Sequence, residues 1–103
     1  MEKIEKLKSF LVSSPDDSFL KHALALEYVK MGRDDLARAL FEGILNRDPT
    51  YIGSYYHLGR LLERLGEKEN AKSWLEKGLV ASKLAGDQHA QRELQAAYED
   101  LID

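Results

Sequence analysis

Three histidines, two pairs of adjacent aspartates and two closely spaced arginines hold most of the chemical potential of this 103-residue chain. His22, His57 and His89 lie 35 and 32 residues apart. Imidazole is a common metal ligand, yet the chain has no cysteine to join a site, which also removes disulfide and thiolate chemistry. Asp16-Asp17 and Asp34-Asp35 resemble acid–base pairs until their context is read: each precedes an apolar helical pattern, where carboxylates cap a helix and complement its dipole. There is no glycine-rich phosphate loop, no serine set between glycines and no His-Glu pair at zinc-protease spacing. The residues predict no enzyme, no cofactor and no metal. Arg60 and Arg64, one helical turn apart, leave a different possibility, recognition of another chain.

The elements that position these residues repeat with a period of 34. At that offset Leu24 falls on Leu58, Gly32 on Gly66, Ala37 on Ala71, Glu42 on Glu76 and Leu45 on Leu79. Residue sizes repeat as well: Ala25 with Gly59, Tyr28 with Leu62, Phe41 with Leu75. Such self-similarity signals a repeat architecture. Within each unit, stripes at helical spacing predict two helices. Leu20, Leu24, Tyr28 and Met31 form the first stripe, ended by Gly32; Leu36, Leu40, Ile44 and Leu45 form the second, ended by Asp48-Pro49. Tyr55, Leu58, Leu62 and Leu65, then Gly66, repeat the pattern, followed by Ala71, Leu75 and Leu79. Lys83 stands where a second proline would fall, so this helix continues to Gly86. Ile4, Leu7, Phe10 and Leu11 mark a helix at the front, and Ala90, Leu94, Ala97, Tyr98 and Leu101 one at the back. The reading is one all-α domain over 1–103: an N-terminal helix or half-repeat at 1–14, repeats at 18–51 and 52–85, and a capping helix at 87–102. The histidine spacings miss the period by one residue and by two, and at about 100° per residue their side chains diverge.

Leu24, Ala25, Tyr28, Gly32, Ala37, Phe41 and Pro49, echoed by Leu58, Gly59, Leu62, Gly66, Ala71 and Leu75, resemble the signature of the tetratricopeptide repeat. Departures are Lys21, Ile44, Gly78 and Lys83. The resemblance implies a right-handed helical repeat of about six antiparallel helices, with the first helix of each unit lining a concave face that holds a peptide or helix of a partner protein. On the helix over 18–31, a second stripe of Phe19, His22, Leu26, Val29 and Lys30 accompanies the core stripe, making the helix apolar nearly all round. Tyr56, His57, Arg60, Glu63 and Arg64 occupy the corresponding positions of the next unit. These ten residues are the candidate partner-binding set. They suit a segment with apolar anchors and an acidic residue. Alternatively, the same apolar surface makes a homodimer, or the terminal helices cover it. Some relatives of this type clamp the carboxylate tail of chaperones with Lys and Asn. Here His22, Leu26, His57, Asp87 and Gln91 stand at those positions, so such a clamp is not expected. Trp74, beside core position Leu75, is expected to be partly exposed or covered by the last helix.

Composition narrows the partners. Eighteen acidic against fifteen basic residues give a net charge of −3, the wrong sign for neutralising nucleic-acid phosphates. No apolar run reaches membrane-spanning length and the first residues carry no signal-peptide pattern. The expectation is a cytoplasmic protein that binds protein, with neither nucleic acid nor membrane as partner. Ala37 is assigned to a helix–helix contact, so Ala37→Leu is expected to cost ~1–3 kcal/mol by overpacking. Thermal unfolding checks this; an unchanged melting temperature would remove Ala37 from the contact.

Overall fold

A computed structural model describes residues 2–103. Six helices occupy it and no strand occurs among the described residues: α1 Glu2–Ser13, α2 Ser18–Lys30, α3 Asp34–Arg47, α4 Gly53–Arg64, α5 Lys68–Ala85 and α6 Gln88–Ile102. No helix among them is long and apolar enough to cross a membrane. The chain divides into two compact units, one ending at Asp48 and the other running Pro49–Asp103.

In the first unit α2 packs on α3, and α1 packs on α2. Asp17 caps α2 by accepting a hydrogen bond from the Leu20 amide at 3.0 Å. At the other end Gly32 adopts φ 77°, which lets the Gly32 and Arg33 amides donate back to the carbonyls of Val29 and Tyr28. α3 ends at Arg47, and Asp48 before the proline has left the helical region at φ −132°. The core consists of Ile4, Leu24, Ala25, Tyr28, Ala37, Phe41, Ile44 and Leu45. Ala25 and Ala37 have no exposed surface, as expected where helices meet closely. Each large buried side chain such as Phe41 contributes roughly 1.5–3 kcal/mol.

In the second unit α4, α5 and α6 pack against one another. Gly66 repeats the positive-φ ending of Gly32, with Glu67 donating to Leu62 at 2.9 Å. α5 runs 18 residues against 14 for α3, because Lys83 does not interrupt it as Pro49 interrupts its counterpart. It ends on Gly86 at φ 69°. The core is Tyr55, Leu58, Leu61, Leu62, Ala71, Leu75, Leu94, Ala97 and Leu101. Tyr55 also donates its hydroxyl to the Pro49 carbonyl at 2.6 Å, fixing the turn that leads into α4.

Two glycines make the packing possible. A Cβ placed on Gly59 would lie 2.5 Å from Leu75 Cδ2, and one on Gly78 would lie 2.7 Å from Tyr55 Cβ and 3.1 Å from Leu94 Cδ1. Gly78 departs from the family pattern because three helices meet at that point. Other stripe positions differ from expectation. Met31 and Leu65 are exposed, since each is the C-cap residue of its helix and the helical period stops there. Phe10 is exposed because α1 buries only Ile4 fully against its neighbour. Leu61, off the predicted stripe, is fully buried. Trp74 is half-buried, its ring 6.3 Å from that of Tyr55 on α4 and Lys77 above it at 4.4 Å.

Gly78→Ala is therefore expected to destabilise by ~1–3 kcal/mol, because Tyr55 and Leu94 are buried and have no room to retreat. Gly43 is exposed in mid-α3, and a Cβ added there would meet nothing within 4 Å. It gives the opposite sign: Gly43→Ala is expected to stabilise by about 0.5–1 kcal/mol. Chemical denaturation of both variants tests the pair.

Candidate functional site

The candidate residues divide between the two units. On α2, Leu24, Ala25 and Tyr28 face the core, and at 100° per residue Phe19, Leu26 and Lys30 fall on the opposite side. Phe19 is 67% exposed. Leu26 and Val29 are half-buried. His22 is also half-buried and sets its ring edge-on to Phe41, with centroids 5.6 Å apart, a packing role that ties the candidate face to the core. Lys30 donates to Glu27 Oε2 at 3.1 Å, while Lys3 of α1 approaches the same oxygen at 3.4 Å. The Lys30 hydrogen bond holds the Glu27 carboxyl below the usual carboxylate range; desolvation opposes it, and the charges of Lys3 and Lys30 add to the lowering.

On α4 the buried arc comprises Ser54, Tyr55, Leu58, Gly59, Leu61 and Leu62, which turns Tyr56, Arg60, Glu63 and Arg64 the other way. Arg60 organises this face. Its Nε donates to the Tyr56 hydroxyl at 3.2 Å, one terminal nitrogen donates to Glu63 Oε1 at 3.1 Å, and the other donates to Asp100 Oδ2 of α6 at 3.1 Å. The guanidinium carbon also lies 5.3 Å from the centre of the Tyr56 ring. The Tyr56 hydrogen bond, then those of Glu63 and Asp100, push its pKa further upward and outweigh desolvation. The charge of Arg60 is thus already met from within the unit. An acidic residue on a partner would have to compete with Glu63 and Asp100 for it.

His57 borders this face with its ring 5.6 Å from Tyr56 at 83°. Burial depresses its pKa, and the negative charge of Glu93 on α6 opposes that effect without cancelling it. Glu93 and Asp100 are contributions that the sequence reading missed. α6 continues outward as a polar surface: Gln88, Gln91, Arg92 and Gln95 line a shallow open depression. His89 is exposed. No group of three or more His, Asp or Glu side chains suited to a metal ion occurs among the described residues. The aspartate pairs act as helix starts and surface partners: Asp16 meets Arg47 at 3.0 Å, and Asp35 meets Arg33 at 3.3 Å.

Paired helices, small residues at their contacts and an ordered polar face on a first helix define a helical-hairpin repeat protein. The chain belongs to the tetratricopeptide repeat family, whose model matches residues 20–51 and 52–80. It is similar to a TPR repeat-containing protein of Pseudomonas aeruginosa, 26% identical over 91 residues that cover 88% of this chain and 87% of the relative. Among solved structures, a tetratricopeptide repeat domain protein from Salinibacter ruber is 39% identical with a TM-score of 0.81, over 84% of this chain and 88% of that one. The TPR2B domain of yeast Sti1, solved in complex with pHsp70, has a TM-score of 0.89 at 15% identity, over 96% of this chain and 79% of that one, a likeness of fold alone.

The depressed His57 pKa has a consequence for stability. The unfolded imidazole, near its ordinary value of 6.5, takes up a proton more readily than the folded one. Stability from this group is therefore complete above that value and declines as pH falls through it toward the folded pKa. Between about pH 7.5 and about pH 5.5, wild type is expected to lose more melting temperature than His57→Gln. Parallel thermal scans at the two pH values decide it; equal losses would leave His57 without this role.

Proposed function

We propose that this chain is a non-enzymatic interaction module that holds a segment of a partner protein on the outward faces of its first-type helices. Those faces are Phe19, His22, Leu26, Val29 and Lys30 on α2, and Tyr56, His57, Arg60, Glu63 and Arg64 on α4. The carrying observation is the fixed fork of Arg60 with Tyr56, Glu63 and Asp100. It orients an aromatic side chain at a half-exposed position before any ligand arrives, and preorganisation lowers the cost of binding. On α2 the exposed Phe19 supplies an apolar anchor point. Family membership supports the reading, as does the pHsp70 complex of the yeast structure that shares the fold. His22, Leu26, His57, Asp87 and Gln91 lack the Lys and Asn of a carboxylate clamp, so the partner contacts proposed are apolar and aromatic.

Affinity capture from lysate with wild type, Leu26→Lys and the double variant Phe19→Ala/Tyr56→Ala tests this. The variants are expected to keep wild-type helicity by circular dichroism and to lose the captured protein. Folded variants that still capture it would overturn the assignment of these faces.

A further inference from the structure

The outer side of α5 carries a stripe that neither the core nor the proposed binding faces use. Ser73, Lys77, Val80 and Leu84 follow one another at intervals of four, three and four, and all are exposed. That spacing aligns them along one side of a helix. Ala71, Leu75, Gly78 and Ser82 are buried on the side facing the unit's own core. Val80 is 59% exposed and Leu84 85%, and at i,i+4 they form a single apolar patch. Leu84 lies beyond the point at which a proline at 83 would have ended the helix, so the patch depends on the extra turn of α5.

The charges around the patch are arranged in order. The acids of α5 are drawn elsewhere: Glu69 pairs with Lys72 at 3.5 Å, and Glu76 accepts from the Tyr98 hydroxyl at 3.2 Å. Lys77 stands N-terminal to the patch, its ammonium over the Trp74 ring at 4.4 Å. Lys83 is turned about 100° away from Leu84. C-terminal to the patch come the negative end of the α5 dipole and Asp87, the N-cap of α6, which accepts from the Ala90 amide at 3.0 Å through Oδ1 and leaves Oδ2 for a further partner. A basic end, an apolar middle and a negative end complement their own reverse.

We propose that this stripe is a self-association surface on which a second copy of the chain packs α5 against α5, antiparallel, about a two-fold axis level with Ser82. Val80 of each copy then stands opposite Leu84 of the other, and Lys77 lies level with the other copy's α5 C-terminus and Asp87. The interface is isologous and closes at two copies. A parallel arrangement would set Lys77 beside Lys77 and loses this complementarity. With two apolar side chains per copy the surface is small, so association belongs to the weak, concentration-dependent class.

Sedimentation equilibrium of the full chain between about 10 μM and about 1 mM tests it, with circular dichroism as the folding control. Wild type is expected to move from the monomer mass toward twice that mass, and Leu84→Glu and Val80→Lys to remain monomeric; both positions are exposed, so the core is untouched. Lys77→Gln and Asp87→Asn, the latter retaining a capping side chain, are each expected to weaken dimerisation about threefold. Their combination should weaken it no further, because they remove the same contact. Amide shifts on dilution should fall within residues 73–87. A wild type that stays monomeric, a dimer unchanged by Leu84→Glu, or dilution shifts confined to α2 or to Tyr56–Glu63 would each overturn the proposal.

Discussion

The second unit is organised by how closely α4 and α5 approach each other, and that distance is set by an absent methyl group. Gly78 meets Tyr55 of α4 and Leu94 of α6 within 3.1 Å of where a Cβ would stand. With that space open, Tyr55 reaches the Pro49 carbonyl at 2.6 Å and fixes the entry to α4. The same contact seats Leu94, and with it the direction of α6. Asp100, six residues further along α6, then arrives within 3.1 Å of Arg60. A packing constraint near the core thus determines a polar arrangement at the surface. Core packing of this density tolerates little adjustment, so the polar face inherits the rigidity of the apolar contact beneath it.

The Arg60 fork contributes more to orientation than to stability. Arg60 is about one-third exposed and Asp100 is more open still, and pairs at such positions stabilise a fold by about 0–1 kcal/mol. The useful effect is geometric. A guanidinium held by partners on its own helix and on α6 keeps the neighbouring Tyr56 ring from sampling other rotamers. The first unit reaches a comparable result by apolar means, with His22 set edge-on to Phe41 and Phe19 left open at the start of the same helix. One face is ordered by hydrogen bonds and the other by ring packing.

Much of the fold was legible because its punctuation is local. Gly32, Gly66 and Gly86 end helices through positive φ, and Asp48-Pro49 ends one through a steric clash; each signal acts within a few residues. The stripes failed where that locality ended: Met31 and Leu65 continue the apolar period on paper but sit on caps. The candidate face of α4 was legible as a set of side chains, since helical spacing alone turns Tyr56, Arg60, Glu63 and Arg64 together. Its electrostatics were not. Asp100 lies 40 residues from Arg60, and nothing in the spacing of either helix announces that they meet. Glu93 escaped notice for the same reason. Gly78, a departure from the family pattern, is the visible trace of the three-helix contact.

The missing proline at position 83 also alters how the end of the chain is numbered in space. Leu24 and Leu58 are 34 residues apart, whereas Leu94, the first buried leucine of α6, follows Leu58 by 36. Two residues amount to about 200° of helical rotation, enough to exchange the inward and outward sides of a helix. Counting a strict 34 from Leu58 lands on Arg92, which is exposed, and the family match stops at residue 80. In a sequence aligned by fixed period, α6 would present arginine to the core and leucine to water.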